Sequence, residues 1–253
     1  MTPEESFTQK LVAPRALAGI GDIRWLSMPL HQVYGWTASR DPLTPSVLLT
    51  SPDQQAQVRL NPHPDTRWWD IWHAATPGRP AWSVSAGSRT PVEILAALTD
   101  ALTDPQPAPP GRDLHPYDLL SEAGWGSSGQ HDGLTSPDGY TDVEVGYSAL
   151  NVETAVNGDP EGQVWEAYLT RSTPLPLVNA FLQAVADTEP LPRDPSDIPF
   201  VVRQHLTTRT RHVTEPEIHL PLERRMTALA ARSTTSPGPP APQQPPPPRR
   251  RTR

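Results

Sequence analysis

The residues with the most chemical potential lie in one short stretch of the first half of the chain. His63, Asp65, Asp70 and His73 place two imidazoles and two carboxylates within eleven residues, and such groups can ligate a transition metal. However, residues 69–73 are predicted to form a β-strand, in which successive side chains point to opposite faces. Asp70 and His73 would then point apart, so the sequence predicts no metal site and no bound cofactor.

Tryptophans cluster in the same stretch, where Trp68, Trp69, Trp72 and Trp82 fall within fifteen residues. On a strand, Trp69 shares a face with Ile71, whereas Trp68 and Trp72 share the opposite face. If the Trp69 face is core, the other face exposes two indoles that a protein partner or an aromatic or sugar ligand could contact. The alternative is that helices cover the whole sheet and that all four indoles are core.

The charged neighbours of these tryptophans favour a protein over a nucleic acid as the partner. Asp65 and Asp70 would repel phosphates, while two nearby arginines could pair with a carboxylate on a protein. The candidate partner-binding residues are Trp68, Trp72, His63, Arg67 and Arg79.

Catalytic motifs are missing from the sequence. The chain has no cysteine, which removes thiolate nucleophiles and zinc–thiolate sites. The letters Ser-Pro-Asp occur twice, but without the Gly-x-Ser-x-Gly elbow of serine hydrolases and without a histidine at matching positions. The sequence therefore predicts a non-catalytic protein.

Charge is distributed unevenly along the chain. Residues 1–192 carry 10 basic and 23 acidic side chains, a net charge of −13, and residues 193–253 carry 11 arginines and 5 acids, a net charge of +6. An acidic body is repelled by phosphate backbones. The proline-rich segment 233–253 is predicted to be a disordered tail, serving either as a solubilising end or as a second contact for a partner. Nucleic acid could be bound only there, through Arg249, Arg250, Arg251 and Arg253.

The chain contains an internal repeat. Four landmarks of the first half recur in the same order in the second half. Segment 30–36, which ends in Gly-Trp, recurs at 119–125, and the letters LTSPD of 49–53 recur at 134–138. Trp82 and the Thr-Pro pair eight residues after it recur as Trp165 and the Thr-Pro pair at 173–174. Such ordered recurrence predicts a tandem duplication.

Each repeat is predicted to consist of a short helix, several antiparallel strands and an amphipathic helix, with Thr90 as the N-cap and Pro91 as the first helical residue in the first copy. The predicted class is α+β, with an antiparallel sheet in each repeat that helices flank. A strand is predicted over 200–206 and a helix over 222–232. The predicted segments are an N-terminal extension 1–23, a first repeat 24–104, a proline-rich linker 105–111, a second repeat 112–190, a C-terminal extension 191–232 and the disordered Pro/Arg-rich tail 233–253.

These landmarks resemble the SPDY family, an actinobacterial domain of unknown function that often occurs in tandem. The family motif Ser-Pro-Asp-x-Tyr is complete at 136–140, whereas the first copy at 51–55 ends in glutamine instead of tyrosine. The resemblance covers about residues 12–190 and implies a tandem architecture, but no reaction and no site residues.

The sequence thus predicts a cytoplasmic, non-catalytic interaction protein with no membrane segment. The alternative is a nucleic-acid-associated accessory protein, such as one of a mobile element, that acts through its arginine-rich tail.

Overall fold

The structure is a computed structural model that describes residues 6–40, 43–61, 68–104, 115–129, 133–156 and 162–234. Its strands are β1 Ser6–Ala13, β2 Thr37–Arg40, β3 Val47–Thr50, β4 Ala56–Leu60, β5 Trp69–His73, β6 Trp82–Ala86, β7 Gly126–Ser127, β8 Gly133–Thr135, β9 Thr141–Val145, β10 Ala149–Ala155, β11 Gln163–Thr170, β12 Leu191–Arg193 and β13 Thr207–Thr214. Its α-helices are α1 Arg24–Met28, α2 Val92–Thr103, α3 Pro116–Glu122, α4 Leu175–Ala186 and α5 Glu215–Thr234. The predicted mixture of helices and sheet is confirmed.

The two halves of the chain, here called unit one (24–104) and unit two (115–190), share one antiparallel sheet of ten strands. The strand order is β2-β3-β4-β5-β6-β11-β10-β9-β8-β7, so each unit contributes five neighbouring strands. The last strands of the two units pair at the centre, where Ser85 of β6 lies opposite Tyr168 of β11. The sequence predicted a sheet in each repeat, whereas the structure joins the strands of both units into a single sheet.

One face of this sheet is covered by helices. Buried side chains alternate with more exposed ones along the strands, as in β5, where Trp69 and Ile71 are buried and Asp70 and Trp72 are partly exposed. Helices α2 and α4 pack against each other, α1 packs against α2 and α3 packs against α4. The buried faces of sheet and helices form one hydrophobic core that includes Phe181 of α4. The two units are therefore packed together.

A second, smaller sheet joins the two ends of the described chain. Its order is β12-β1-β13, so β1 lies between two strands from the C-terminal extension. The predicted strand over 200–206 is wrong, because Phe200–His205 forms a 3₁₀-helix directly after Pro199. The predicted helix over 222–232 is present but longer, since α5 spans Glu215–Thr234 and contains Pro221.

The amphipathic helices α2 and α4 begin later than the sequence indicates. In unit one Pro91 is the N-cap and the helix starts at Val92. The hydroxyl of Thr90 is buried and makes no hydrogen bond to the described part of the chain, so it is not the capping group. Instead, the N–H of Val92 donates to the carbonyl of Ile20 in the N-terminal segment. In unit two the N-cap of α4 is likewise a proline, Pro174.

A buried ion pair fastens the small sheet to the units. The guanidinium of Arg193 in β12 contacts both carboxylate oxygens of Glu93 in α2, at 2.8 and 2.7 Å. It also donates to the carbonyls of Ala18 and Gly19. Gly21 has no room for a side chain here, because a Cβ would lie 2.7 Å from the guanidinium carbon. Arg193 thus ties the N-terminal segment, α2 and β12 together.

Among the helices of the described ranges, none combines the length and apolar character needed to cross a membrane.

Candidate functional site

The face of the ten-stranded sheet opposite the helices carries Trp72. Its ring is partly exposed, and the guanidinium of Arg59, on the neighbouring strand β4, lies over it at 5.0 Å from the ring centroid. On the other neighbouring strand, β6, the register partner of Trp72 is Ser83, a small exposed residue. We call this site, formed by Arg59, Trp72 and Ser83, the Trp72 patch.

The other tryptophans of unit one lie elsewhere. Trp69 and Trp82 are 2% and 6% exposed and belong to the core. His73 stacks on Trp82 with ring centroids 5.7 Å apart. Trp68 precedes β5 and is partly buried against the core, about 13 Å along the strand direction from Trp72 at 3.3 Å per residue. Of these four tryptophans, Trp72 is therefore the one that lies on the open face of the sheet, away from the core.

Of the other predicted contact residues, Arg79 is described. It is exposed in the connection between β5 and β6, where it forms a bridge with Thr76. That connection lies at the end of β5 that carries Trp72. His63, Arg67 and the tail arginines Arg249, Arg250, Arg251 and Arg253 lie outside the described residues. Within the described ranges, no group of three or more His, Asp or Glu side chains could hold a metal ion.

The half of the open face that belongs to unit two is acidic. Glu153 of β10 lies between Asp142 of β9 and Glu166 of β11 in the strand register, and Glu144 is exposed on the same face of β9. Gln163 donates to both Glu153 and Glu166, which reduces their mutual repulsion. Sequence reasoning did not single out these acids, although the alternation of acidic and apolar residues in 141–145 contained the signal.

The Ser-Pro-Asp segment forms a hydrogen-bonded turn in both units. In unit one the Ser51 hydroxyl donates to Asp53 over 2.5 Å and accepts from the N–H of Ala56 over 2.9 Å. Asp53 also accepts from the N–H of Gln55. In unit two, Ser136 and Asp138 make the same contacts with the N–H groups at 140 and 141. The serine and aspartate side chains are used within the turn, which fits a structural role.

The turn packs against the Gly-Trp landmark of the same unit. Gly35 and Gly124 adopt φ values of +69° and +86°, which favour glycine. In each unit the proline of the turn approaches within 3.8 Å of the position that a glycine Cβ would occupy. The spacing of the two landmarks in the sequence thus reflects a direct contact in the fold.

The motif tyrosine of unit two contacts the C-terminal extension. The Tyr140 ring meets the His205 ring edge-on with centroids 5.5 Å apart, and its hydroxyl lies 3.4 Å from Nδ1 of that histidine. Gln55 stands at the corresponding position of unit one.

The charge of Asp53 contributes to stability in a pH-dependent manner. The Ser51 hydroxyl, followed by the N–H of Gln55, lowers the pKa of Asp53 from its ordinary value. A carboxyl with a depressed pKa adds stability above its unfolded-state pKa of about 3.9, and this contribution is lost as the pH falls through the folded-state pKa. Asp53→Asn should therefore lower the free energy of unfolding by a constant amount above about pH 5, and by an amount that decreases with pH below about pH 4. Urea unfolding of the wild type and of Asp53→Asn between pH 3 and 7 measures the difference in their free energies of unfolding. A difference that grows as the pH falls would contradict the prediction.

Comparison with known proteins identifies the two units. The family model SPDY, Domain of unknown function (DUF317), matches the chain twice, over residues 50–108 and residues 135–191. Each match begins at the Ser-Pro-Asp turn and extends past the amphipathic helix of its unit, and the resemblance inferred from the sequence is confirmed over these two ranges. No match was found among the curated proteins or the solved structures.

Proposed function

We propose that this chain, which carries two SPDY domains in tandem, is a non-catalytic protein that binds a protein partner on the open face of its ten-stranded sheet. The observation that supports the proposal most strongly is the position of Trp72, a partly exposed indole on the face opposite the helices. Tryptophan and arginine are the side chains most enriched at the energetic centres of protein interfaces. In the Trp72 patch they already lie in contact.

The size of the open face supports a protein partner. Ten strands at a spacing of about 4.8 Å span about 43 Å, and a strand of five residues adds about 17 Å in the other direction. The product, about 700 Å², is close to the roughly 800 Å² that each partner contributes to a standard interface.

The charges of the face indicate the chemistry of the partner. Four acids, Asp142, Glu144, Glu153 and Glu166, lie on the half that belongs to unit two. They would repel a phosphate backbone and attract lysine and arginine side chains. The proposed partner is therefore a protein with a basic surface that meets unit two and with a group that packs on the indole of unit one.

We also propose that the two units arose by duplication and that each keeps the predicted plan of short helix, strands and amphipathic helix. The strand order supports this. In both units the strands follow one another from the outer edge of the sheet to its centre, from β2 to β6 in unit one and from β7 to β11 in unit two. The proposed location is the cytoplasm, which fractionation of native cells would test.

Photo-crosslinking beside Trp72 tests the docking proposal. A photoreactive phenylalanine analogue at Ser83, the exposed register neighbour of Trp72, keeps the indole in place and is expected to crosslink a discrete basic protein in native cells. The control is the same analogue at Phe200, an aromatic that is 84% exposed but lies in the C-terminal extension. A discrete product at 200 and none at 83 would contradict the proposed site.

Truncation of the indole should separate binding from stability. Trp72→Ala is expected to lower the free energy of unfolding by about 1 kcal/mol, as for loss of an exposed cation–π contact, and to abolish recovery of the crosslinked partner. Phe200→Ala is the matched control and should leave recovery unchanged. If Trp72→Ala instead costs about 3–5 kcal/mol, the indole is core and the patch is not a docking site.

The alternative function is nucleic-acid association through the C-terminal region. The observation in its favour is the net charge of +6 over residues 193–253, together with exposed Arg209 and Arg211 on β13. Binding of this kind weakens steeply with salt. Retention on a DNA or RNA column that is lost when residues 235–253 are removed would favour this alternative over the sheet-face proposal.

A further inference from the structure

A second aromatic side chain lies on the open face of the sheet, between the Trp72 patch and the acids of unit two. Tyr168 of β11 is partly exposed, and its hydroxyl donates to Glu166 over 2.7 Å. Its register partner is Ser85, two residues along β6 from Ser83, the register partner of Trp72. The two aromatic rings therefore belong to one face.

The strand register gives the spacing of these groups. Trp72 and Tyr168 are two strands and two residues apart, which is about 12 Å at 4.8 Å per strand and 3.3 Å per residue. Glu166 lies two residues further along β11, and Glu153 lies opposite it on β10, so they are about 16 and 20 Å from Trp72. Along one diagonal the face thus presents two aromatic rings and then carboxylates.

The chain itself contains a segment with the complementary order of groups. Residues 245–253 read Pro-Pro-Pro-Pro-Arg-Arg-Arg-Thr-Arg, so four prolines precede four arginines. This segment lies outside the described ranges. Proline runs favour the polyproline II helix, with three residues per turn and about 3.1 Å per residue, and proline-rich segments of this kind dock on aromatic side chains.

The prolines of segment 245–253 fit the aromatic part of the diagonal. In a polyproline II helix every third residue lies on the same side, so Pro245 and Pro248 can face the sheet together. With Pro245 on Trp72, Pro248 lies about 9 Å further along the helix, within side-chain reach of Tyr168.

The arginines fit the acidic part. Arg250 and Arg251 follow Pro245 by five and six residues, which places them about 15 and 19 Å from the indole. The carboxylates of Glu166 and Glu153 lie in that range, and arginine forms strong charge-assisted hydrogen bonds with carboxylates.

The segment can reach the face of its own chain. Helix α5 packs on unit one, where Arg225 pairs with Asp100 of α2 at 2.8 Å, so the chain leaves α5 on the half that carries Trp72. Eleven residue steps separate Thr234 from Pro245, and they span up to about 36 Å when extended. The path to β5 crosses one helix layer of about 10 Å and three strand spacings from the β2 edge, about 14 Å.

We propose that segment 245–253 docks on the open face of its own chain, with its prolines on Trp72 and Tyr168 and its arginines on the carboxylates of unit two. This inference rests on the proposed function, because the segment occupies the same groups that a basic partner would contact. A tethered segment has an effective concentration of about millimolar, so a partner has to displace it.

Photo-crosslinking in the purified full-length chain tests the contact. With the photoreactive phenylalanine analogue at Ser83, tryptic digestion and mass spectrometry should find the analogue joined to peptide 233–249 of the same molecule. The same analogue at Phe200 should not give this product. Absence of the product at 83 would overturn the contact, and a product found only in dimers of the chain would overturn its intramolecular arrangement.

Two double variants with the same loss of charge test the arginines. Arg250→Ser with Arg251→Ser should lower the yield of this crosslink at least threefold. Arg209→Ser with Arg211→Ser removes two exposed arginines of β13 and should leave the yield unchanged. Equal yields from the two variants would overturn the proposed pairing with the acids.

Nuclear magnetic resonance of the chain without the analogue gives a second measurement. The indole N–H signal of Trp72 should differ between the wild type and Arg250→Ser with Arg251→Ser. In the wild type it should move toward the variant's position at about 1 M salt, which screens the charges. The signal of Trp165, whose indole N–H donates to the carbonyl of Ala16 in the core, should not change. A Trp72 signal that is identical in both proteins would overturn the proposal.

The two proposals fail in different ways. If the analogue at Ser83 captures a basic protein in cells but not peptide 233–249 in the purified chain, the docking of the segment is wrong and the proposed function stands. Capture of the peptide in the purified chain, with no protein captured in cells, supports the docking of the segment and contradicts the proposed function.

Discussion

Arg193→Met is expected to lower the free energy of unfolding by about 3–5 kcal/mol. The substitution leaves the carboxylate of Glu93, whose side chain is 13% exposed, without the guanidinium that it contacts through both oxygens. It also removes the donors to the carbonyls of Ala18 and Gly19. Urea unfolding followed by circular dichroism measures the change.

The matched control is Arg24→Met. Arg24 pairs with Asp22 at 2.8 Å, but the two side chains are 49% and 46% exposed. Exposed pairs contribute about 0–1 kcal/mol, so this variant should be nearly as stable as the wild type. Equal losses for the two arginines would mean that the buried pair does not hold the N-terminal segment, α2 and β12 together.

Phe181→Ala is expected to lower the free energy of unfolding by about 3–5 kcal/mol, the range for truncation of a buried phenylalanine. Phe181 is fully buried on α4, the helix that packs against α2 of the other unit. Because the sheet and the helix layer are continuous across the units, the loss should destabilise unit one as well.

Two optical signals separate this shared loss from a local one. Six of the eight tryptophans lie in residues 24–104, so tryptophan fluorescence mainly follows unit one, while far-ultraviolet circular dichroism follows both units. For the wild type and for Phe181→Ala the two signals should give the same urea midpoint. A fluorescence midpoint that stays at the wild-type value while the dichroism midpoint falls would show that the units unfold independently.

Local sequence patterns predicted several of the strands and helices within the units. The alternation in β4, β5 and β9 and the apolar stripes of α2 and α4 depend on neighbours within a few residues, which a sequence displays directly. The pairing of β6 with β11 does not, because it joins strands about 80 residues apart through their edges. The same limit concealed β1, whose partners are β12 and β13.

The mistaken strand over 200–206 has a different origin. Two consecutive valines favour a strand, but Pro199 precedes them and tertiary packing buries Val202 in a 3₁₀-helix. The late start of α2 also depends on a distant contact, since the carbonyl of Ile20 supplies the bond that Thr90 was expected to provide.

The candidate site was partly predictable for the same reason. Alternation along β5 correctly separated Trp69 and Trp72 onto opposite faces, because side-chain direction in a strand is local. The contact of Arg59 with Trp72 and the row of acids across β9, β10 and β11 depend on strand register, which local patterns do not specify.

The affinity of the crosslinked partner for purified wild-type protein and for Trp72→Ala tests the central claim most directly. Removal of an interface hot spot costs about 2 kcal/mol or more, so the Kd measured by calorimetry should rise at least about 30-fold, while the Tm of the variant stays within a few degrees of the wild type. A Kd that is the same for both proteins would show that the open face of the sheet is not where the partner binds.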